Sequence, residues 1–597
     1  MTSRSISTFG PCRSMEKQNN RIDIETSTLG ISFCNQLFNE GLVSNILRQQ
    51  KGALPVKRSD PGGFWLLLIA LAILLPSIWL ESSLTGGDEH RISFRTALET
   101  QQADQWLVPT YEGEPRLRKP PLFYWVLAAS SEYLGSSLFS MRIWGVLCGA
   151  LLAIFVARWG HRQFSADPVL TFVIFVSCLG LATESRRAML DIPMTLFLVL
   201  ALERWGRCMM EGRSIDAVIA GAFLAVAAMI KPPAIYFAAT AIIAMTLFQV
   251  RVALASAMIK RFFGFTLFII SFSLFFFPWW VYVQSVYPEL LQARLEEQIT
   301  NREISAFKVE SIPSLLGGWL GLVAPWSITL IYASLRYLRK TKDGIESPER
   351  WLAIFLILSS VPFLFMKTFE RYLIPLLPAF SILISAYLDT LKPSALRRHL
   401  FGAAFLTSTV TLVLAVIVWW FFSPTLALIS VAILLLLWRM AMQADAVNTA
   451  LAAALNWCFC LGVLLPSIGI GEGPPLSKEI QQRPIYQMDG RHLPMLEITV
   501  GKPIEDISND LSSLGQLPDE TCYLILTEAD LPKLEVNLAE LDRESEVLRK
   551  FGVFRSRKVF TRFVREDATA EDLQKAKEER SLEGLKKRCV IVEIKSR

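Results

Sequence analysis

The sequence predicts an all-α membrane protein: a polytopic bundle of about 13 transmembrane helices with a long first exterior loop and a C-terminal soluble α/β domain. Three observations lead to this fold class. The 597-residue chain is 52% hydrophobic and only 19% charged, so it contains more apolar residues than soluble cores can bury. Apolar segments of about 17–25 residues, long enough to cross a bilayer as helices, follow one another between residues 64 and 466. After Pro466 the composition becomes polar and mixed.

Residues 1–61 are predicted to form a disordered cytoplasmic extension. They are polar, rich in Ser, Asn and Arg, and have neither the apolar core nor the small-residue cleavage site of a secretory signal. The first apolar run, Phe64–Leu80, follows several basic residues and precedes Glu81. Because cytoplasmic loops are enriched in Lys and Arg, this difference places the N-terminus inside the cell and the stretch GGDEHR, residues 86–91, outside.

The predicted transmembrane domain covers residues 62–466. Its spans are 64–80, 137–157, 168–183, 189–205, 215–230, 233–250, 263–283, 313–335, 350–366, 372–388, 400–422, 424–440 and 446–466. Counted from a cytoplasmic start, nearly every cluster of Lys and Arg falls in an inside loop. This agreement requires the apolar piece PLFYWVLAAS, residues 121–130, to lie at the outer surface rather than to cross the membrane. We therefore expect a multi-pass protein of the inner (cytoplasmic) membrane.

The odd number of spans places residues 467–597 outside the cell, where we expect a soluble domain. Three runs have the apolar and β-branched residues that are typical of strands: LEITV at 496–500, CYLILT at 522–527 and CVIVEI at 589–594. The Glu- and Lys-rich stretch 568–588 is typical of a helix. Spacing leaves open whether Cys522 and Cys589 form a disulfide.

Charged residues gather at the span ends that face the predicted exterior. They occur in five short stretches: GGDEHR with Asp88 and Glu89, RLRKPP with Arg118 and Lys119, ESRRAMLD with Asp191, IKPP with Lys231, and KTFERY with Arg371 and Tyr372. Charges are costly next to hydrocarbon, so together they indicate a polar site beneath the exterior loops. Several cations with two or three carboxylates suit a phosphate-bearing substrate, because the cations bind the phosphate and a carboxylate can take a proton.

Each of these residues also has a purely structural interpretation. A single Lys or Arg at a span end often anchors the helix at the interface, and a single Asp after a span often caps a helix. The Pro residues that follow Lys119 and Lys231 favour a site, because Pro bars the preceding residue from a helix and can begin the next helix. Each Lys is therefore expected near a helix N-terminus, where an anion would be stabilised.

In this order the motifs resemble the GT-C glycosyltransferases, and most closely the bacterial branch related to protein O-mannosyltransferases and the lipid A aminoarabinose transferase. The resemblance covers residues 62–390 and rests on the Asp-Glu pair after the first span, Lys-Pro-Pro followed by Tyr-Trp, RRAMLDIPMTLF, the second Lys-Pro pair and RYLIPLLP. The family implies transfer of one sugar from a polyprenyl-phosphate carrier to an acceptor at the outer face of the membrane. The sugar, the carrier length and the class of acceptor, whether lipid, glycan or protein, stay open.

The resemblance also implies roles for individual residues. Asp88 is expected to activate or orient the acceptor nucleophile, and Asp191 matches the family's second exterior Asp. Lys119 is expected at the donor phosphate, and Arg371 with Tyr372 near the phosphate of the carrier. The remaining candidates are Glu89 as an alternative catalytic carboxylate, and Lys231 and Arg118 as additional phosphate-binding cations.

A divalent metal is not predicted, although members of this branch are associated with one. Aminoarabinose transferases have Glu before the Lys of Lys-Pro and a Glu-His pair in a later exterior loop, and these residues are associated with the ion. Here the first position is Arg118, and the later loop reads EEQITNR, with Gln298 in the place of His. His90 and His399 are conceivable ligands, but each is more simply polar surface. The sequence therefore predicts no cofactor and no metal site.

The alternative function is a polytopic lipid or sugar transporter or flippase without transferase activity. It would need ionisable residues or broken helices at mid-span, and the central spans are expected to be nearly free of both. A membrane-anchored binding protein is a second alternative, but it leaves the charges around the Lys-Pro corners unexplained. The net charge of +6 is modest for this length and does not indicate nucleic acid. Expected partners are the polyprenyl-phosphate donor, the acceptor and membrane lipids.

Overall fold

The computed structural model describes residues 62–83, 88–164, 166–249, 255–301, 307–339, 348–490, 492–554 and 564–596. The predicted cytoplasmic extension, residues 1–61, lies outside the described residues and stays a prediction. Within the described part the chain is mostly helical, as the sequence predicts, with a five-stranded sheet near its C-terminus.

Helices lie in all of the predicted spans, because an apolar backbone away from water must satisfy its own hydrogen bonds. In the membrane part the α-helices are Gly63–Leu74, Phe94–Gln102, Leu122–Leu134, Leu138–Phe164, Pro168–Val176, Leu179–Glu184, Asp191–Glu211, Ser214–Ile230, Ala234–Gln249, Ala255–Val286, Pro288–Asn301, Ser311–Leu316, Ser327–Leu338, Glu349–Ser360, Leu377–Asp389, Pro393–Phe421, Pro424–Met442 and Ala446–Phe459.

Among the described residues, six helical segments are long and apolar enough to cross a membrane. They are Leu138–Phe164, Phe262–Val286, Glu370–Asp389, Pro393–Phe421, Pro424–Met442 and Ala446–Ile468. Shorter apolar helices accompany them at Gly63–Leu74, Ser214–Ile230 and Ala234–Met245. The chain is thus a multi-pass membrane protein, while the count of about 13 spans stays a prediction.

Two predicted spans are broken, which corrects the expectation that the central spans are continuous helices. The span predicted at 168–183 leaves the α-helix at Val176 and enters a new one at Leu179. A second interruption lies between Gly321 and Ser327. An interruption of this kind frees backbone amides and carbonyls, and each must find another partner inside a membrane.

The backbone groups that are free at one interruption form hydrogen bonds with those that are free at the other. The amides of Leu179 and Gly180 donate hydrogen bonds to the carbonyl oxygens of Ala324 and Leu322, at 2.9 and 2.7 Å. Glycine is required at position 180, because a Cβ there would lie 2.9 Å from both the Cβ and the carbonyl oxygen of Leu322. The sequence pattern does not reveal this contact, since both segments read as ordinary apolar spans.

The described ranges contain seven strands, all of them outside the membrane helices. Two form a short antiparallel hairpin in the loop that the sequence predicts to be exterior, β1 (Thr110–Tyr111) and β2 (Glu114–Pro115). The others are β3 (Ile485–Met488), β4 (Glu505–Ile507), β5 (Cys522–Thr527), β6 (Arg543–Val553) and β7 (Lys587–Ser596). These five form one sheet in the order β4-β3-β5-β7-β6. Strand β3 is parallel to both of its neighbours, β4 and β5, and strand β7 is antiparallel to both of its neighbours, β5 and β6.

Short helices accompany the sheet, at Lys478–Gln482, Leu496–Val500, Leu511–Gly515, Leu531–Glu540 and Ala570–Glu579. The strands predicted for CYLILT and CVIVEI are confirmed as β5 and part of β7. We call residues 467–596 the C-terminal region. That this region is a separate soluble domain stays a prediction.

LEITV is a helix, Leu496–Val500, and not the predicted strand. Leu496 and Val500, one helical turn apart, pack against the core of the sheet. Met495 and Ile498, also one turn apart, pack into the core of the membrane part. The segment is therefore buried on two sides, and a run buried on both sides does not distinguish a strand from a short helix.

In the C-terminal region one more prediction is wrong, and the question of a disulfide between Cys522 and Cys589 is answered. The predicted helix 568–588 is shorter, Ala570–Glu579: it ends at Arg580, which has a left-handed backbone with φ 51°, and Lys587 begins β7. No disulfide joins Cys522 and Cys589, since they lie at opposite ends of the ladder between β5 and β7. Cys522 pairs with Ile594 in that ladder, and Cys589 pairs with Thr527.

Candidate active site

A cavity of about 70 Å³ lies where five separate segments of the membrane part meet. It is lined by six of the residues that the sequence singles out, namely Asp88, Lys119, Asp191, Lys231, Arg371 and Tyr372. The other lining residues, which sequence reasoning missed, are Ile92, Ser93, Tyr124, Met189 and Leu190. The structure therefore brings together residues that are up to 284 positions apart in the chain (372 minus 88).

The charges around the cavity are partly paired. Arg371 donates through Nη2 to Asp88 Oδ2, and Lys231 Nζ donates to Asp191 Oδ1. Lys231 Nζ also lies 5.2 Å from the centre of the Tyr372 ring. Among the described residues, Lys119 has no carboxylate within ion-pair distance. Three basic side chains thus face two carboxylates, so the cavity has an excess of positive charge whenever Lys119 is protonated, and that excess suits an anion.

Two of these groups have shifted pKa values. Burial lowers the pKa of the Lys119 ammonium to about 7, and the neighbouring Lys231 and Arg116 act in the same direction. Burial alone would raise the pKa of Asp88, but the charge and hydrogen bond of Arg371 outweigh it, and the pKa lies below its usual value. Asp88 is therefore ionised at neutral pH, and Lys119 is poised to gain its proton when an anion enters.

Asp88 does not cap the helical segment that follows it. A π-helical turn, Glu89–Ser93, begins after Asp88, and the Asp88 side chain makes no capping hydrogen bond. The side chain is instead directed to Arg371. The structural alternative for Asp88, a helix cap, is therefore wrong.

Glu89, the predicted alternative carboxylate, does not line the cavity. It is fully buried, and it accepts hydrogen bonds from Arg142 Nε and Nη2 at 2.8 and 3.1 Å and from the Ala188 amide at 2.8 Å. Arg142 also donates to the carbonyl oxygens of Ile78 and Leu80, at 3.2 and 3.3 Å. Glu89 and Arg142 thus tie the turns after the first helix, helix Leu138–Phe164 and the loop before Asp191 together, next to Asp88.

Asp191 is placed by the loop that precedes its helix. This loop packs directly on helix Leu138–Phe164 at Gly145, where a Cβ would lie 2.6 Å from the carbonyl oxygen of Ser185 and 2.7 Å from that of Arg187. Asp191 is then the first residue of helix Asp191–Glu211. The small residue in one helix thus lets the loop approach closely enough to bring Asp191 to the cavity.

Lys119 and Lys231 occupy the positions that their Pro residues predict. Lys119 precedes two Pro residues and helix Leu122–Leu134, and Lys231 precedes two Pro residues and helix Ala234–Gln249. Lys231 has the extended backbone expected before Pro, with φ −155° and ψ 111°. The expectation that each Lys lies just before a helix is confirmed.

Arg116 and Tyr124 are contributors that sequence reasoning missed. The Arg116 guanidinium lies 5.5 Å from the Tyr111 ring centre and 5.3 Å from that of Tyr124. It also donates to the Tyr124 hydroxyl through Nε and Nη2, at 3.3 and 3.2 Å. Arg116 therefore holds Tyr124, which lines the cavity. The available signal was their position, three residues before and five residues after Lys119.

Arg118 lies apart from the cavity. Its side chain is 50% exposed and forms an ion pair with Glu297, and Arg294 Nη1 donates to the same carboxylate at 3.1 Å. Its predicted contact with the donor phosphate stays a prediction. A guanidinium has no lone pair to offer a metal, so Arg118 itself cannot be a metal ligand.

Part of the chain matches a known family model. Residues 118–282 match the model for dolichyl-phosphate-mannose-protein mannosyltransferase. A curated relative in Aquifex aeolicus (strain VF5), described as an uncharacterized protein, is 23% identical over 48% of this chain and 56% of its own length. The undecaprenyl phosphate-alpha-4-amino-4-deoxy-L-arabinose arabinosyl transferase of Enterobacter sp. (strain 638) is 33% identical over 17% of this chain and 19% of its own length. The chain thus spans about half, or less, of the length of these curated relatives.

Solved structures resemble the fold over nearly its whole length. ArnT from Cupriavidus metallidurans, bound to undecaprenyl phosphate, superposes with a TM-score of 0.64 at 16% identity, over 89% of this chain and 98% of that chain. The apo state of the same protein gives a TM-score of 0.63 with the same coverage. The shared fold, the partial family match and the curated relatives together identify the chain as a relative of the GT-C glycosyltransferases, in the branch of the protein mannosyltransferases and the aminoarabinose transferase.

Proposed function

We propose that this protein is a glycosyltransferase that moves one sugar from a polyprenyl-phosphate donor to a lipid, glycan or protein acceptor. The observation that carries the proposal is the cavity in which Lys119, Lys231 and Arg371 face Asp88 and Asp191. The likeness in fold to ArnT, a protein whose structure contains undecaprenyl phosphate, supports a lipid phosphate as the anion. A transporter has no comparable support, because the family model and the Enterobacter relative describe transferases.

The chemistry follows from the pairing of charges. The donor phosphate binds to Lys119 and Arg371, and their charges stabilise the phosphate as it leaves the sugar. Arg371 is also the partner of Asp88, so the phosphate and Asp88 compete for it. As Arg371 turns to the phosphate, the pKa of Asp88 rises and the carboxylate becomes a better base for the acceptor proton. In this scheme Asp191 keeps Lys231 in place beside the phosphate.

The function is tested by comparing envelope lipids and glycans by mass spectrometry in a deletion strain and in the strain complemented with the wild-type gene. We expect one component to lose the mass of one sugar in the deletion strain and to regain it on complementation. Complementation with the Asp88→Asn variant is the matched control and should restore nothing. Identical profiles in all strains would contradict the proposal.

The low pKa of Lys119 predicts a pH dependence of lipid-phosphate binding. An entering phosphate favours charged Lys119, so above pH 7 binding must be accompanied by uptake of a proton. We expect the affinity for undecaprenyl phosphate to fall by up to about tenfold per pH unit between about pH 7.5 and 9, where the phosphate itself no longer titrates. Equilibrium binding to the purified protein across this range measures the effect.

The control for this pH dependence is Lys119→Arg, because Arg keeps its charge over the whole range. Its affinity should vary little with pH above 7.5. A wild-type affinity that is equally constant would show that Lys119 is already charged in the empty cavity, and would contradict the prediction.

The cavity and the C-terminal region are proposed to lie on the extracytoplasmic side of the inner membrane. The supporting observation is that the C-terminal region contacts Glu81, seven residues before Asp88, since Thr499 Oγ1 donates to Glu81 Oε1 at 2.9 Å. Cysteines introduced at the exposed positions Asp104 and Asp567 should react with a membrane-impermeant maleimide in intact spheroplasts. A cysteine at Arg339 should react only after permeabilisation, and the opposite pattern would invert the topology.

We also propose that transfer requires no divalent metal. The supporting observation is that Arg118, paired with Glu297, stands directly before Lys119, where the resemblance implies a Glu associated with an ion, and a guanidinium cannot be a metal ligand. Activity should therefore be unchanged after treatment with EDTA and dialysis, measured as sugar transferred per minute. Loss of activity that added Mg²⁺, Mn²⁺ or Zn²⁺ restores would contradict this proposal.

A further inference from the structure

The helix that follows Asp88 is held by the C-terminal region. Helix Phe94–Gln102 continues directly from the turn whose residues Ile92 and Ser93 line the cavity. Its second residue, Arg95, is only 9% exposed. Arg95 Nη1 donates to Glu497 Oε1 and to the carbonyl oxygen of Ile504, both at 2.8 Å. The segment that contains Asp88 is therefore fixed from the C-terminal side by a buried charge.

Arg95 is also connected, through Glu99, to the segment that contains Lys119. Arg95 Nε donates to Glu99, one turn further along the helix. Glu99 in turn accepts hydrogen bonds from the amides of Glu112 and Gly113, at 2.9 and 3.2 Å, which form the turn between β1 and β2. Strand β2 leads on to Arg116 and then to Lys119, so Glu99 sets the position of the hairpin from which Lys119 extends.

The C-terminal region is itself anchored independently of Arg95. Glu81, at the end of the first membrane segment, accepts hydrogen bonds from the Gly473 amide at 3.1 Å and from Thr499 Oγ1 at 2.9 Å. On the same short helix as Glu497, Ile498 is 1% exposed within the core of the membrane part. These contacts, none of which involves Arg95, therefore hold Glu497 in position for its ion pair with Arg95.

We propose that Arg95 is a positioning residue that uses the C-terminal region to set Asp88 and Lys119 relative to each other. The contacts run from Glu497 through Arg95 and Glu99 to the hairpin before Lys119. The C-terminal region then acts in catalysis without touching the substrate. This inference rests on the proposed function of the cavity. The contacts from which it is argued are observed whatever that function is.

The test is hydrogen–deuterium exchange of the full-length protein in detergent, comparing wild type with Arg95→Gln. We expect peptides within residues 88–119 to exchange about 10- to 100-fold faster in the variant, since a buried charged hydrogen bond opens that much more often when weakened. Exchange in the sheet and in the membrane helices should stay unchanged. Arg95→Lys should give an intermediate rate, because it keeps the charge but not the fork of donors.

The control is Glu593→Gln, which removes a carboxylate of similar burial from the sheet but does not touch the first exterior loop. If Arg95→Gln does not fold, Glu497→Gln replaces it, because Gln keeps the shape of the side chain. Unchanged exchange in residues 88–119, or faster exchange throughout the protein, would overturn the proposal. Affinity for undecaprenyl phosphate and the turnover number are measured on the same variants, and both should decline with Arg95→Gln.

The two proposals fail in different ways. If the wild-type protein transfers no sugar, the proposed function is wrong, whereas the exchange measurement still decides whether Arg95 fixes the segment. If transfer is observed but Arg95→Gln has wild-type exchange and wild-type turnover, the positioning role is wrong and the function stands.

Discussion

The Asp88→Asn variant is expected to lose sugar transfer by about 10²- to 10⁴-fold, the range attributed to a general base. Asn has the size of Asp but cannot take up the acceptor proton. Binding of undecaprenyl phosphate should be unchanged or tighter, because Arg371 no longer shares its hydrogen bonds with a carboxylate. Initial rates of transfer and equilibrium binding to the same preparation separate the two effects.

The matched control for this variant is Asp104→Asn. Asp104 is exposed between the first membrane helix and Lys119, and it accepts a hydrogen bond from Trp106 Nε1 at 3.0 Å, an interaction that Asn can also make. It should transfer sugar at the wild-type rate. If Asp88→Asn also transfers at close to that rate, the role of base passes to Asp191, the other carboxylate that lines the cavity.

The variants Lys119→Ala and Arg371→Ala are each expected to weaken binding of undecaprenyl phosphate by about 10- to 100-fold. A charge-assisted hydrogen bond to phosphate contributes roughly 1.5–3 kcal/mol, which corresponds to this range. Lys119 should show the cleaner effect, because no carboxylate loses its partner when it is removed. Arg371→Ala leaves Asp88 without its ion pair, so part of its effect falls on turnover.

Arg91→Ala provides the comparison for both variants. Arg91 is an exposed cation close to Asp88 in the chain, and it does not line the cavity. Removal of the Arg91 charge should leave the affinity for undecaprenyl phosphate equal to that of the wild type within experimental error, since an exposed charge contributes little to binding. If Lys119→Ala and Arg371→Ala both bind undecaprenyl phosphate with wild-type affinity, the two residues do not contact the phosphate and serve only to anchor the chain at the membrane interface.

Much of the cavity was predictable because its residues carry local signals. Lys119 and Lys231 precede Pro residues, which restrict the backbone and begin a helix, and Asp191 begins a span. Asp88 and Glu89 were not distinguishable, because adjacent residues of one loop differ only in the direction of their side chains. Arg142, whose fully buried guanidinium binds Glu89, looks in the sequence like one charge in an apolar span.

The fold was predictable as a class but not in its details. Apolar length identifies helices, yet it does not show where a helix stops when another segment supplies the hydrogen bonds, as at Gly180. LEITV was misassigned for the related reason that Ile498 and Leu496 face different cores. Both failures arise from contacts between segments far apart in the chain, and periodicity contains no information about these contacts.

The mutual satisfaction of the two helix breaks bears on how the chain is made. During synthesis the amides of Leu179 and Gly180 enter the membrane long before their acceptors at Leu322 and Ala324 have been translated. Until then the segment can satisfy these amides itself, as one continuous helix, because a helix pairs its own backbone groups inside hydrocarbon. The break at this position is therefore a product of late packing: the helix opens between Val176 and Leu179 when the segment that contains Leu322 comes to lie beside it and offers its carbonyl oxygens.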